Sequence, residues 1–540
     1  MAIRLLSRVF LFLLIFVSAC APTPTSLFLE RRTNPVATLT PFKPRPATIA
    51  PGLLVNPAGA DQPGSLPTLE SLPPTTSPEV AQTVPAANIN QPAQEATLIY
   101  ALVAAFPTIR DGVSFDELKE RWTAGWPGLV MTENTRAAMQ NVFGIPAGAS
   151  VRAAPAGEIK AALWQEPGLW GIVPFEELNP ELKVLEVDGR SPINADFQAG
   201  DYPLKTIIRL QPGDAALPAT NRDPARLASV MMTGTTALVR TISYKMQQNG
   251  IGYPALMIGD WLRAADILHV SNEVAFTPDC PPPDPYDGSL RFCSAEQNIG
   301  LLDEVGVDVI DLSGNHVNDW GTAALLHSLD LYEQRGWQVF AGGRDLASAR
   351  DPAILERGGM KFAFVGCNVP GPGFAWATAD GPGAADCEDF NWLVDEIRQL
   401  KASGMLVIAT LQHYEYYSPE PRPQQLEDFR RLAEAGADVV SGSQAHFAQA
   451  LEFHNGSFIH YGLGNLFFDQ MSHEYNDGTR TTDIRREFLD RHIFYEGRHI
   501  STQLLTTMLE DYSQPRPMTP EERAAFLTEY FTASGWQPAP

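Results

Sequence analysis

All ten histidines of the chain lie at or beyond His269, and three of them sit where an apolar, β-prone run gives way to a polar loop. His316 lies in DLSGNHVNDWG (311–321), His413 in LQHYEYYSPE (411–420) and His446 in GADVVSGSQAH (436–446). An imidazole changes charge near neutral pH and also ligates metals, so it suits acid–base work or cation binding. Nearby motifs add Glu273, in SNE (271–273), and Asn315, beside His316. Their oxygens can hold a cation or orient a polar group. The expectation is one shared site. Its candidate metal ligands are Glu273, Asn315, His316, His413 and His446; its candidate acid–base or orienting groups are Asn315, His316, His413 and His446. Asp319, three residues after His316, is the expected partner that fixes the tautomer of that ring. For Asn315 and Asn465 turn capping is the competing reading, His454 and His460 are expected to pack against strands, and YGLGN (461–465) reads as a tight turn.

Such a site needs elements that deliver separate loops to one place. Between about 226 and 510, the runs ASVMMTG, ADILHVSNE, GVDVIDLSGN, WQVFAGG, KFAFVGC, MLVIATLQH and ADVVSGS read as strands. They alternate with helix-like stretches such as WGTAALLHSLDLYEQRG and PRPQQLEDFRRLAEAG. Regular alternation predicts an α/β architecture with a largely parallel sheet, whose functional loops gather at the carboxyl ends of the strands. Residues 97–225 predict a smaller α/β domain, with strands in TLIYALVAAFPTI and LKVLEVDG and a helix opened by Ser114 with Glu117 in a capping box. Trp122, Trp126, Trp164 and Trp170 of this region are expected in its core. Residues 511–540 predict a helical tail.

The whole chain has 540 residues and a formal net charge of −24. With no basic stripe to neutralise phosphates, a nucleic-acid partner is excluded. Residues 1–19 carry Arg4 and Arg8, an apolar stretch and small residues, an export-signal pattern. The run VSAC resembles the lipobox of bacterial lipoproteins, which implies lipidation at Cys20 and anchoring to the outer face of the cytoplasmic membrane; an ordinary secretory signal or a single membrane anchor is the alternative. Residues 20–96 hold 15 of the 45 prolines, mixed with Thr, Ala and Ser, and predict an extended stalk. In an exported protein the four remaining cysteines favour two disulfides, Cys280 with Cys293 and Cys367 with Cys387 by close spacing. A zinc site competes, though without CxxC spacing.

Two resemblances extend these readings. The run WGIVPFEELNPELKVLEVDGRSP, with GDYPLKTIIRL after it, resembles one lobe of phosphate-type periplasmic solute-binding proteins. The ordered set SNE, SGNHVNDWG, AGGRDLASAR, QHYEYYSPEPRPQQ, GADVVSGSQAHFAQALE and HYGLGNLFFDQ resembles the CapA family of capsule and poly-γ-glutamate synthesis, relatives of the calcineurin-like metallophosphoesterases. That likeness implies a four-layer α/β/β/α sandwich and a site descended from a two-metal centre, in which paired ions activate water and clamp phosphoryl oxygens. Two departures stand out. TGTTALVR (233–240) puts Thr235 where the family has an aspartate, and GSQAH puts Gln444 at an expected imidazole position. A divalent ion there is therefore expected to be single and weakly held. The implied function is that of a surface lipoprotein acting in synthesis, release or anchoring of an anionic polymer, beside a membrane synthase complex, as a metal-dependent hydrolase or transferase. The alternative is a non-catalytic lipoprotein that binds polymer or another cell-envelope ligand.

Overall fold

The computed structural model describes residues 94–146, 151–210 and 218–540; the signal, Cys20 and all but the end of the stalk lie outside them. The first sheet is built on strand Gln94–Ala105, which pairs antiparallel with Trp170–Pro174, Leu182–Val187 and Lys205–Leu210. Helices Phe115–Thr123, Glu133–Phe143 and Ala156–Gln165 accompany it. Ser114 caps the first of these by accepting from the Glu117 amide at 3.1 Å. The Glu117 carboxylate does not close the capping box; it pairs with Arg110 and Arg121 instead. Trp122 and Trp170 are buried in this core, and Trp126 and Trp164 pack against it.

Beyond residue 226 the chain forms two sheets packed face to face. In the first, strands Gln338–Phe340, Val309–Asp311, Ile267–Asn272 and Leu227–Met232 run parallel in that spatial order, then Arg486–Tyr495 and Arg498–Glu510 continue antiparallel. In the second, Met360–Asn368, Leu406–Gln412, Val439–Ser443 and Ser457–His460 run parallel, flanked by antiparallel Ala353–Arg357 and Leu451–His454. Successive side chains of a strand point to opposite faces, and burial follows that period. Ile267, Val309, Phe340, Phe362, Phe364 and Ile408 share the core between the sheets. Leu268, Val270 and Ile310 face outward onto helices Arg240–Asn249, Gly300–Val305 and Thr322–Arg335. On the other side Ala363, Val365, Val407 and Ala409 meet helices Asn391–Ala402 and Pro423–Ala435. The result is the α/β/β/α sandwich, with every strand expected from the sequence present.

The C-terminal segment is strand Gln514–Pro517 followed by helix Pro520–Ala533. Phe526, Leu527, Tyr530 and Phe531 of that helix, with Trp536, enter the inter-sheet core, and so does Phe106 from the end of the first strand. A backbone bridge joins Thr108 to Ala539, and Arg523 reaches Asp111 at 2.9 Å.

Three histidines are enclosed at this end. His460 bonds Asp490 at 2.6 Å, while the rings of His492 and His499 lie 5.2 Å apart and share the Thr502 hydroxyl. Burial, then the neighbouring His499 and His460, push His492 well below the usual imidazole range. Burial brings His499 down to about 3. Both rings are thus neutral in the folded chain at pH values where the unfolded chain protonates them. The contribution of these two rings to stability is therefore expected to be level above about pH 6.5 and to fall as pH drops towards 3, by on the order of a few kcal/mol. Melting temperatures between pH 8 and pH 4 test this, and His499→Phe should flatten the slope.

Candidate functional site

The carboxyl ends of the parallel strands lie along one edge, and the polar residues gather there. Glu273 follows strand Ile267–Asn272, Asn315 and His316 follow Val309–Asp311, Gln412 ends its strand, and Gln444 and His446 follow Val439–Ser443. Thr235 pairs with Asn465 across a backbone bridge. A Cβ on Gly234 would meet the Gly464 carbonyl oxygen at 2.2 Å, so this approach requires glycine. Gln444 and His446 both hold left-handed backbone, with φ of 73° and 51°. Non-glycine residues adopt that conformation only where the surroundings impose it.

At the centre is the Gln412 side-chain amide. Its Nε2 donates to Asn315 Oδ1 at 2.9 Å and to Gln444 Oε1, and lies 3.4 Å from Glu273 Oε1. Ser443 donates to its Oε1 at 3.2 Å. His446 Nε2 stands 3.9 Å from Glu273 Oε1, and its Nδ1 is 2.7 Å from Asn465 Oδ1. Asn465 is thus a hydrogen-bonding partner of His446 as well as a turn residue. On the other flank His316 Nδ1 bonds Asp319 Oδ2 at 2.7 Å, as expected. Burial alone would lower the His316 pKa, but the Asp319 bond and the charges of Glu273, Asp319 and Glu415 outweigh it, so the ring is held above its ordinary value.

The expectation for His413 is corrected. Its Nε2 bonds Asp428 of helix Pro423–Ala435 at 3.0 Å, and its ring packs 6.1 Å from that of Phe429. The cause is the period of two. Ile408, Thr410 and Gln412 face the inter-sheet side, so the next residue turns towards the outer helix. Gln412, one residue earlier, is the side chain this strand supplies to the site, and the alternation of LVIATLQ was the signal for it. His454 pairs with Glu434, and His460 is buried on its strand, both at the packing positions expected.

Sequence reasoning also missed a second layer. Phe292 lies 4.7 Å from the His316 ring, and Phe468 lies 4.8 Å from that of His446. The Arg240 guanidinium sits between these two phenylalanines, 5.0 and 5.7 Å from their rings, and pairs with Asp469. Both expected disulfides form, Cys280–Cys293 and Cys367–Cys387.

These residues do not fit a two-metal centre. Among the described residues no three His, Cys, Asp or Glu side chains gather around a point that could hold an ion. Thr235, Gln412 and Gln444 are neutral, and the Gln412 amide hydrogens occupy the space between the oxygens that would face a cation. Glu273 Oε2 is one of several buried oxygens left without a partner among the described residues. Gln412→Ala is expected to leave two acceptors, Asn315 Oδ1 and Gln444 Oε1, without their donor and to cost about 1–3 kcal/mol, read as a lowered midpoint in chemical denaturation. His413→Ala should leave the cleft's histidine resonances in place.

Comparison with known proteins gives this geometry a context. The family model for the bacterial capsule synthesis protein PGA_cap matches residues 229–470. The PGA biosynthesis protein CapA of Bacillus subtilis (strain 168) is 27% identical over 188 residues, which is 34% of this chain and 48% of that protein. This chain therefore spans about half the length of that relative. The capsule biosynthesis protein CapA of Bacillus anthracis is 22% identical over 287 residues, covering 51% of this chain and 69% of its own. Among solved structures, the NAD nucleotidase of Haemophilus influenzae aligns over 58% of this chain and 63% of its own, with a TM-score of 0.30 and 12% identity. Segment 229–470 is thus similar to the bacterial capsule synthesis family and, within it, to the CapA proteins.

Proposed function

We propose that this protein takes part in capsule or poly-γ-glutamate synthesis as an extracytoplasmic component that binds the anionic polymer or another cell-envelope ligand at the cleft, beside a membrane synthase. The observation that carries this reading is the Gln412 amide at the hub, donating to Asn315 and Gln444 where a hydrolase of metallophosphoesterase descent would place ions. The relatives' names supply the polymer class. With a net charge of −24 the chain repels a polyanion at long range. His316 and Arg240, both against the Phe292 ring, are the cationic groups offered to the polymer there, each held by its own aspartate, Asp319 and Asp469. Export and lipid anchoring at Cys20 are part of the proposal.

A second reading, acid–base hydrolysis or transfer, is favoured by the His316–Asp319 pair, whose Nδ1 contact leaves Nε2 free for proton transfer. Binding of poly-γ-glutamate to the purified full-length protein decides between them when polymer length is followed in the same samples. Binding without shortening supports the first; shortening that is lost in His316→Ala supports the second; neither would sink both. In the binding reading, His316→Ala and His446→Ala should each weaken polymer affinity by about tenfold, with circular dichroism unchanged. Metal analysis should find at most a single weakly held divalent ion, and Thr235→Asp should tighten it. Cys20→Ser should move the protein from the membrane fraction to the soluble fraction.

A further inference from the structure

The segment that leaves Glu273 returns to grip His316. Strand Phe276–Thr277 pairs in parallel with Ser294–Ala295, and the chain between them is closed at its base by the Cys280–Cys293 bond. The tip of this loop is open to solvent: Tyr286 is 94% and Leu290 77% exposed. At its returning end Phe292 is buried, while Arg291 stays exposed. Arg291 Nε donates to the Asp319 carbonyl at 2.8 Å, and the Phe292 amide donates to Asp319 Oδ2 at 2.9 Å, the same oxygen that holds His316 Nδ1. The Phe292 ring then touches both the His316 ring and the Arg240 guanidinium.

One covalent bond therefore sits next to the residue that sets two recognition groups. The two disulfides differ in access. Cys367 and Cys387 are 0% and 1% exposed, whereas Cys293 is 9% exposed and Cys280 is partly open to solvent. Thiol–disulfide exchange requires a thiolate to reach sulfur, so a reductant attacks the loop bond first.

We propose that the 280–293 loop is a redox-controlled strap, in which the disulfide holds Phe292 as a positioning residue for His316 and Arg240, and reduction weakens ligand binding at the cleft. The regulatory half rests on the polymer-binding reading above; the positioning half does not. In the reducing step a dithiol passes two electrons and two protons to the strap: the Sγ–Sγ bond breaks, Cys280 and Cys293 become thiols, and the dithiol leaves as a disulfide. Freed at its base, the loop keeps its two-residue strand pair but loses the closure that seats Phe292.

The test uses full-length protein with labelled histidine, compared oxidised, after mild dithiol treatment, and as Cys280→Ser/Cys293→Ser. The His316 ring resonance, assigned by its loss in His316→Asn, carries the ring-current shift of Phe292. It should move in the reduced protein and in the double variant, and Phe292→Ala should reproduce the change while Phe292→Tyr restores the oxidised position. Poly-γ-glutamate affinity should fall about tenfold in parallel. A His316 resonance unmoved when mass spectrometry shows Cys280 and Cys293 reduced overturns the strap. A moved resonance with equal polymer affinity in both forms overturns the regulatory half. A moved resonance with no polymer binding in the oxidised form overturns the polymer-binding reading and leaves the positioning role standing.

Discussion

Two sheets that share one apolar layer must send alternate residues inward, and the placement of the polar site depends on that constraint. Phe340, Phe362, Phe364 and Ile408 fill the layer between the sheets. The same inward column, followed towards the carboxyl ends, changes from phenylalanine and isoleucine to Thr410, Gln412, Ser441 and Ser443, all buried. The site is thus the polar end of the hydrophobic core, and Glu273, Gln412, Gln444, His446 and Asn465 are buried as core residues are. That enclosure is what allows Gln444 and His446 to keep left-handed backbone.

The electrostatic character of the cleft follows from which groups occupy that polar end. Neutral amides at Gln412 and Gln444 satisfy one another directly beside the buried Glu273 carboxyl. Further charge lies on the flanks, where the Asp319–His316 and Asp469–Arg240 pairs each combine an acid with a cationic group. Such an arrangement spreads paired charge along the rim and concentrates no field at one atom.

Much of this was legible in the sequence because β-prone runs alternate with long amphipathic helices, a signal that tertiary context rarely reverses. Glu273, His316 and His446 were found because each stands just past a strand, where loops meet. His413 was misplaced because a motif read as a string gives neighbours equal standing, whereas a strand sends them to opposite faces. Phe292 and Phe468 were invisible for a different reason: an apolar residue beside an imidazole looks like any other core residue until distance shows what it touches. The Glu117 carboxylate likewise left its expected cap because Arg110, a nonlocal competitor, lies within reach.

The last helix carries a consequence for how the molecule is made. Phe526, Leu527, Tyr530 and Phe531 complete a layer whose other walls are contributed by strands from Leu227 onward and by Phe106, and Ala539 pairs with Thr108. A chain emerging from its amino end can form the first sheet and the early parallel strands, but the layer between the sheets stays open along one side until helix Pro520–Ala533 arrives. Closing of that layer therefore waits for this helix. A product that stops short, even by a single helix, leaves an aromatic-lined seam facing water, the kind of surface that chaperones hold and quality-control proteases recognise.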